Sequence, residues 1–182
     1  SVQGALMPDA HSGYGLPIGG VLAVENAVIP YGVGMDIGCR MSLSILDTPI
    51  SYLDGAKDKY EKALVENTKF GMSEVHKSVF DHEIFDRDTF DLIPILKRLK
   101  GKAIKQLGSS GGGNHFVEFG EVEITEEDQQ IGLPKGKYLG ILSHSGSRGF
   151  GAEIAQYYSR VATEQCPLPK EAQNFAWLDL DS

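Results

Sequence analysis

The sequence is poor in cysteine, with only Cys39 and Cys166 among its 182 residues. Two widely separated cysteines exclude a disulfide framework and favour a reducing compartment, so we expect a cytoplasmic protein. Glycines, prolines and two polar residues interrupt the longest apolar region, 16–35, which excludes a transmembrane span there. No methionine and no basic leader segment stand at the start, and no terminating turn precedes Ser182, so we expect a fragment or a processed chain.

Basic residues are also scarce, because 17 Lys and Arg stand against 25 Asp and Glu, for a net charge of −8. This balance argues against broad binding of a nucleic-acid backbone through a basic stripe. It leaves open a narrow site in which metal ions supply the positive charge. The glycine-rich phosphate-binding pattern of a P-loop is absent from the sequence as well. With 41% hydrophobic and 23% charged residues, the composition predicts one globular domain.

Hydrophobic periodicity predicts an α+β fold, in which strands carry glycine-rich loops and helices lie outside. The predicted strands are a β-hairpin over 18–31 and single strands over 41–46, 115–124 and 138–142. The predicted helices cover 51–66, with Ser51 as its N-cap, 92–106, with Pro94 near its start, and 150–163. The remaining segments are predicted to be an exposed helix or loop at 77–91, a loop at 108–113 and a polar connection at 128–137.

Asp36 and Cys39 stand three positions apart, directly after a glycine-rich stretch and on the predicted loop into the strand at 41–46. A thiolate and a carboxylate are ligands for a divalent transition metal, and a cysteine sulfur can also bridge two metals. The alternative is structural, with a turn aspartate and a small buried cysteine.

Two further segments are rich in glycine and carry a potential metal ligand, like the segment of Asp36 and Cys39: 111–116 (Gly-Gly-Gly-Asn-His-Phe) and 144–149 (His-Ser-Gly-Ser-Arg-Gly). Three consecutive glycines permit close approach of a ligand, and their N–H groups could bind a phosphate. The second segment precedes a predicted helix, whose N-terminus favours an oxyanion. A flexible turn in the first segment and N-capping by a serine in the second remain the alternatives. If the segments meet, His115 and His144 complete a metal-ligand set with Asp36 and Cys39.

The remaining histidines and the second cysteine carry weaker signals. Asp9 and His11 lie in a glycine-rich loop, where they could orient metal ligands or simply form a turn. His76 and His82 lie in the acidic region 77–91 or just before it, and we expect both to be solvated. Cys166 precedes a proline and is expected to pack or to lie in a loop.

Four ordered segments together resemble the RtcB family of RNA ligases: 7–11 (Met-Pro-Asp-Ala-His), 33–39 (Val-Gly-Met-Asp-Ile-Gly-Cys), 111–116 and 144–149. The resemblance runs from about Met7 to the end of the chain and implies an RtcB-like fold of mixed or antiparallel sheets with outer helices. It implies one partial domain over residues 1–182, incomplete at the C-terminal side. Arg40 departs from the pattern, because many members have glycine there.

The resemblance also implies roles for individual residues. Asp36 and Cys39 match manganese ligands of the family, Cys39 as the bridging one, and His115 and His144 match ligands of the first and the second manganese ion. A guanine-nucleotide contact segment is matched by Asn114, His115, Phe116, Val117 and Glu118. Arg148 matches a candidate contact to the substrate phosphate.

The implied reaction joins an RNA 3′-phosphate or 2′,3′-cyclic phosphate end to a 5′-hydroxyl end, with GTP and Mn²⁺ as cofactors and a histidine–GMP intermediate. Broken or spliced RNA, tRNA in particular, is the implied substrate, with archease as a possible activator. The nucleophilic histidine is expected downstream of Ser182, so the chain alone is expected to be inactive. A non-catalytic metal-binding or interaction protein derived from the ligase is the alternative, and a metal-dependent phosphoesterase is a third.

Overall fold

A computed structural model describes residues 2–13, 15–127 and 132–181. In this structure the chain forms two compact units, a first unit of Ser1–Ile37 with Gly149–Ser182, and a second unit of Gly38–Arg148. The prediction of one partial domain over 1–182 is not decided by this division and stays a prediction. The predicted α+β class is confirmed, because helices accompany antiparallel sheets in the described residues.

The elements follow one another in this order along the chain. The strands are β1 (Gln3–His11), β2 (Ile18–Ala23), β3 (Ala27–Val28), β4 (Arg40–Pro49), β5 (Phe116–Ile124), β6 (Gly136–Ser145) and β7 (Leu178–Asp179). The α-helices are α1 (Pro30–Val33), α2 (Ser51–Gly55), α3 (Lys57–Asn67), α4 (Thr89–Leu92), α5 (Pro94–Gln106) and α6 (Arg148–Gln165). Two 3₁₀ turns add Glu83–Asp86 and Lys170–Phe175.

The first unit shows that the hairpin predicted over 18–31 is wrong. Two strands do lie there, but β2 pairs antiparallel with β1, with Val21 opposite Ala5. The short β3 pairs antiparallel with β7 instead, with Ala27 opposite Asp179. An apolar strand pattern identifies extended segments without identifying their partners, and β7 lies far along the chain.

The second unit is built on a three-stranded antiparallel sheet with β6 in the centre, in the order β4-β6-β5. The strands predicted over 41–46, 115–124 and 138–142 are confirmed, and β4 and β6 are longer at both ends. One face of this sheet packs on α3, where the rings of Tyr60 and Phe119 meet edge to face with centroids 4.9 Å apart. Leu139 of β6 lies on that face and is fully buried.

Helix α5 confirms the prediction over 92–106, because it begins at Pro94, where the missing N–H costs no hydrogen bond. Its buried residues include Leu99. The segment 77–91 was predicted to be exposed, and this is wrong for two of its aromatic residues. Phe85 and Phe90 are buried, with ring centroids 5.6 Å apart, because apolar rings stabilise a segment that has no helical period.

The helix predicted over 51–66 is interrupted, and α2 and α3 are separated by Ala56, whose φ of −142° is not helical. Ser51 is the first helical residue rather than the N-cap, which is Ile50. Of the connection predicted over 128–137, residues 128–131 lie outside the described residues. No helix in the described ranges is both long and apolar enough to span a bilayer.

Candidate metal centre

Three strand ends of the second unit lie at the same edge of its sheet. Because β4 and β5 both run antiparallel to β6, the beginnings of β4 and β5 lie beside the end of β6. The register places His144 of β6 opposite Met41 on one side and Phe116 on the other. Cys39 and His115 directly precede β4 and β5, so the sheet itself brings these two side chains to His144.

Cys39, His115 and His144 form a group whose potential ligand atoms all lie within 4.8 Å of one another. The Sγ of Cys39 lies 2.7 Å from Nε2 of His144. The two imidazole rings meet edge to face, with centroids 5.2 Å apart. All three side chains are half-buried, which limits competition from bulk water.

A backbone hydrogen bond fixes the tautomer of His144. The Nδ1 of this ring lies 3.1 Å from the carbonyl oxygen of Asn114. A carbonyl oxygen only accepts hydrogen bonds, so Nδ1 is the donor and the Nε2 of neutral His144 carries the lone pair. That lone pair faces the sulfur of Cys39. Metal-ligating histidines are commonly oriented by a hydrogen bond from the other ring nitrogen to a carbonyl oxygen, as His144 is here by Asn114.

The donor set fits a divalent transition metal. Thiolate sulfur and imidazole nitrogen both bind such ions, and a bound metal would replace the thiol proton between Cys39 and His144. The 2.7 Å separation of these two atoms is shorter than the roughly 3.5 Å between a sulfur and a nitrogen bound to one tetrahedral ion. Binding therefore requires the two side chains to separate by roughly 1 Å, which a side-chain rotation supplies.

Asp36, the fourth predicted ligand, belongs to the first unit and is half-buried. Its role as a metal ligand stays a prediction. A carboxylate would add a harder oxygen donor to one thiolate and two imidazoles, which are softer ligands.

The predicted nucleotide-contact residues surround His115 along the chain. Asn114 is exposed, and Phe116 and Glu118 are exposed on one face of β5 while Val117 is half-buried on the other. The Phe116 ring contacts His144, with centroids 5.5 Å apart. The exposed face therefore has an aromatic surface next to the metal-ligand group, and the nucleotide role of these residues stays a prediction.

Gly111 lies close to the side chains of Arg148 and His115. It is buried, and its φ of +90° is in the region that favours glycine. A β-carbon built there would lie 3.1 Å from Nη1 of Arg148 and 3.2 Å from Nδ1 of His115. The neighbouring Gly112 is exposed, and its β-carbon would come no closer than 4.0 Å to the Cγ of Met72. The close approach of Gly111 thus helps to set the position of His115.

We expect Gly111→Ala to lower the stability of the chain by about 1–2 kcal/mol, because the added methyl group occupies a left-handed residue. The displaced His115 should also weaken Co²⁺ binding. Chemical denaturation and calorimetric titration measure the two effects. Gly112→Ala is the matched control and should change neither by much, and equal effects of both substitutions would contradict the close approach at Gly111.

Arg148, the predicted phosphate contact, has several protein partners. Its Nε donates to Oγ of Ser109 at 3.1 Å, and its Nη2 donates to the carbonyl oxygens of Met72 at 3.3 Å and Glu74 at 2.7 Å. Sequence reasoning did not find Ser109, Met72 or Glu74. Two of these contacts use backbone carbonyls, which leave no residue-type signal, and a buried serine in a glycine-rich loop resembles any turn serine.

The structure gives the remaining histidines local partners. His11 Nδ1 lies 2.8 Å from the carbonyl oxygen of Asp9, within a turn. His82 accepts a hydrogen bond from the backbone N–H of Ile84 and is exposed, as predicted. His76 is half-buried, so the prediction of a solvated side chain is confirmed only in part.

His76 approaches a carbonyl group and an aromatic ring. Its Nε2 lies 3.1 Å from the carbonyl oxygen of Gly108, and its ring packs on Phe80 with centroids 4.9 Å apart. Phe80, four positions along the chain, thus covers part of the His76 ring. Cys166 is half-buried and directly follows α6.

Comparison with known proteins gives one consistent result. The chain matches the family model described as tRNA-splicing ligase RtcB over residues 2–89 and 91–182. It is 33% identical to the tRNA-splicing ligase RtcB of Aeropyrum pernix and 32% identical to that of Nanoarchaeum equitans, each over 86% of this chain and 40% of the relative. Identity to the corresponding Pyrobaculum aerophilum protein is 29%, over 84% of this chain and 39% of the relative.

The chain thus spans 39–40% of the length of these relatives. The family model covers nearly all of the chain, including the three strand ends that carry Cys39, His115 and His144. On these grounds the chain belongs to the RtcB family.

Proposed function

We propose that this chain is part of a GTP- and manganese-dependent RNA ligase that joins an RNA 3′-phosphate or 2′,3′-cyclic phosphate end to a 5′-hydroxyl end. The observation that carries the proposal is the meeting of Cys39, His115 and His144 at one sheet edge, in a chain of the RtcB family. Several curated relatives are named tRNA-splicing ligases, and tRNA is therefore the substrate we propose. A cytoplasmic location and activation by archease belong to the same proposal.

In this proposal Cys39, His115 and His144 hold manganese together with Asp36. When bound, the metal supplies positive charge that phosphoryl transfer requires, in a chain whose own net charge is −8. His144 contributes Nε2, because the Asn114 carbonyl engages its Nδ1. The half-burial of the group limits access of bulk water, which strengthens every electrostatic interaction inside it.

The exposed face of β5 is the proposed position of the guanine nucleotide. Asn114 and Glu118 are exposed and offer hydrogen-bonding groups, while Phe116 offers an aromatic ring beside His144. All these groups lie on segments adjoining the three convergent ligands, which supports one continuous site for nucleotide and metal.

We expect the chain alone to bind Mn²⁺ without forming the covalent histidine–GMP adduct. The resemblance assigns the nucleophile to a histidine downstream of Ser182, and two of the five histidines here are already in the metal group. Incubation with Mn²⁺ and GTP labelled in the α-phosphate, followed by denaturing electrophoresis, should leave the chain unlabelled. A stable label on this chain would contradict the expectation.

A full-length relative, such as the Aeropyrum pernix ligase, serves as the positive control in the same gel. Adding RNA with 2′,3′-cyclic phosphate and 5′-hydroxyl ends then tests the ligase proposal itself. This second test uses a longer chain that continues past Ser182 and includes the histidine that the resemblance assigns as nucleophile. If that longer chain binds Mn²⁺ but neither becomes labelled nor joins RNA, the alternative of a non-catalytic metal-binding protein gains support. Release of phosphate from an RNA end would favour the phosphoesterase instead.

A further inference from the structure

We infer that Arg148 is a positioning residue, which holds the glycine-rich segment 108–114 in the conformation that places His115 in the metal group. The positioning itself follows from contacts within the second unit. Its importance for RNA ligation rests on the proposed function. It differs from the role of phosphate contact that the resemblance implies. Arg148 here acts on the site through the two segments that it connects, 72–74 and 108–114.

The guanidinium of Arg148 connects two segments that are distant in the sequence. It donates to Ser109 at 3.1 Å, in the glycine-rich segment, and to the carbonyls of Met72 and Glu74 at 3.3 and 2.7 Å. An arginine has five N–H donors in a fixed fork, and these three bonds use the Nε and Nη2 donors. A bidentate contact through those same donors would require phosphate to displace protein acceptors that are already in place.

Backbone hydrogen bonds join the same two segments. Gly71 N–H donates to the carbonyl of Gly111 at 2.8 Å, and Ser110 N–H donates to the carbonyl of Lys69 at 2.9 Å. Phe70 and Gly111 form an isolated parallel bridge between them. The side-chain hydrogen bonds of Arg148 therefore add to these backbone hydrogen bonds. Both sets of bonds stabilise the pairing of segments 69–74 and 108–114.

The positioning reaches His115 through Gly111. A β-carbon at this glycine would lie 3.1 Å from Nη1 of Arg148 and 3.2 Å from Nδ1 of His115, so the backbone is in close contact with both side chains. Movement of the guanidinium would let Gly111 and the imidazole move as well. Four of the seven residues in segment 108–114 are glycines, whose backbone is conformationally permissive.

Two further features fit a structural role for Arg148. Ser109, which accepts the bond from Arg148, is only 7% exposed and also donates to the carbonyl of Gln106 at 2.6 Å. This second bond fixes the orientation of the Ser109 hydroxyl that accepts from Arg148. Arg148 itself has φ of +59°, a conformation that residues other than glycine adopt at a cost. The surrounding bonds have to offset this cost.

The test compares Arg148→Lys and Ser109→Ala in the whole 182-residue chain. Lysine keeps the charge and can still contact phosphate, but it cannot bind the three acceptors with one rigid fork. Hydrogen–deuterium exchange without metal should accelerate at least about tenfold in segments 69–74 and 108–116 for Arg148→Lys, while α5 stays unchanged. Ser109→Ala, which removes one buried acceptor, should accelerate the same segments by a smaller factor.

Co²⁺ affinity, followed through the thiolate-to-cobalt absorption, should fall roughly tenfold in Arg148→Lys. Arg160→Lys is the matched control, because Arg160 lies on the same helix, is exposed, and should change nothing. Unchanged exchange in both segments for Arg148→Lys would overturn the inference. If that variant unfolds and α5 exchanges faster too, Ser109→Ala decides the outcome by the same criterion.

The two proposals fail in different ways. A wild-type chain that binds neither Co²⁺ nor Mn²⁺ would overturn the proposed metal function, while exchange in the metal-free chain would still decide the role of Arg148. Normal Co²⁺ affinity and normal exchange in Arg148→Lys would overturn positioning and would leave Arg148 with the phosphate contact that the resemblance implies.

Discussion

Cys39→Ser is expected to lower the affinity of the chain for Co²⁺ and Mn²⁺ at least about 100-fold, because it removes the thiolate from a three-residue ligand group. A serine hydroxyl stays protonated at neutral pH and is a weak ligand. The remaining imidazoles of His115 and His144 would still bind, but as an incomplete set. Calorimetric titration gives the affinities, and loss of the thiolate-to-cobalt absorption identifies the missing sulfur.

The chain supplies its own control for this substitution. Cys166 is the second cysteine and is half-buried like Cys39, but it is not among the three grouped ligands. Cys166→Ser should therefore leave affinity and absorption unchanged. Equal losses in the two variants, or full Co²⁺ affinity without Cys39, would refute the assignment of the metal group.

Leu139→Ala is expected to lower the free energy of unfolding by about 3 kcal/mol, the range for removing a fully buried leucine side chain. Leu139 lies in the central strand β6, opposite Leu46 of β4, and it has no exposed surface in the described structure. Its loss leaves a cavity beneath the sheet that carries the metal group. Urea denaturation followed by circular dichroism measures the change.

Leu92→Ala removes the same atoms from a residue that is 76% exposed at the end of α4, and it should cost less than about 0.5 kcal/mol. The difference between the two substitutions isolates burial, since the chemical change is the same. Similar losses in both variants would mean that β6 is not the packed centre of the second unit.

The metal group could be predicted from the sequence for a physical reason. Cys39, His115 and His144 each lie at the junction of a glycine-rich segment and an apolar strand, and junctions of this kind place polar groups at a sheet edge. Strand patterns also identified β4, β5 and β6 correctly. Ligand chemistry and strand ends are both local properties, so both can be read from short stretches of sequence.

Strand pairing and backbone contacts could not be predicted in the same way. The stretch 18–31 contains β2 and β3, but their partners β1 and β7 were not indicated by its own pattern. The break at Ala56 and the burial of Phe85 likewise depend on packing that no local pattern records. The side chain of Arg148 donates to backbone carbonyls, which every residue possesses. The sequence therefore contains no signal that identifies these partners.

The order of the sheet also has a consequence for when the metal group can form during synthesis. β6 is the central strand, yet it is the last of the three to leave the ribosome. β5 and β6 are close in sequence and can pair early, which brings His115 and His144 together. Cys39 must then close a separation of 105 residues to reach His144. A nascent chain that has not yet reached the end of β6 therefore carries its thiol without the imidazole that faces it in the folded protein.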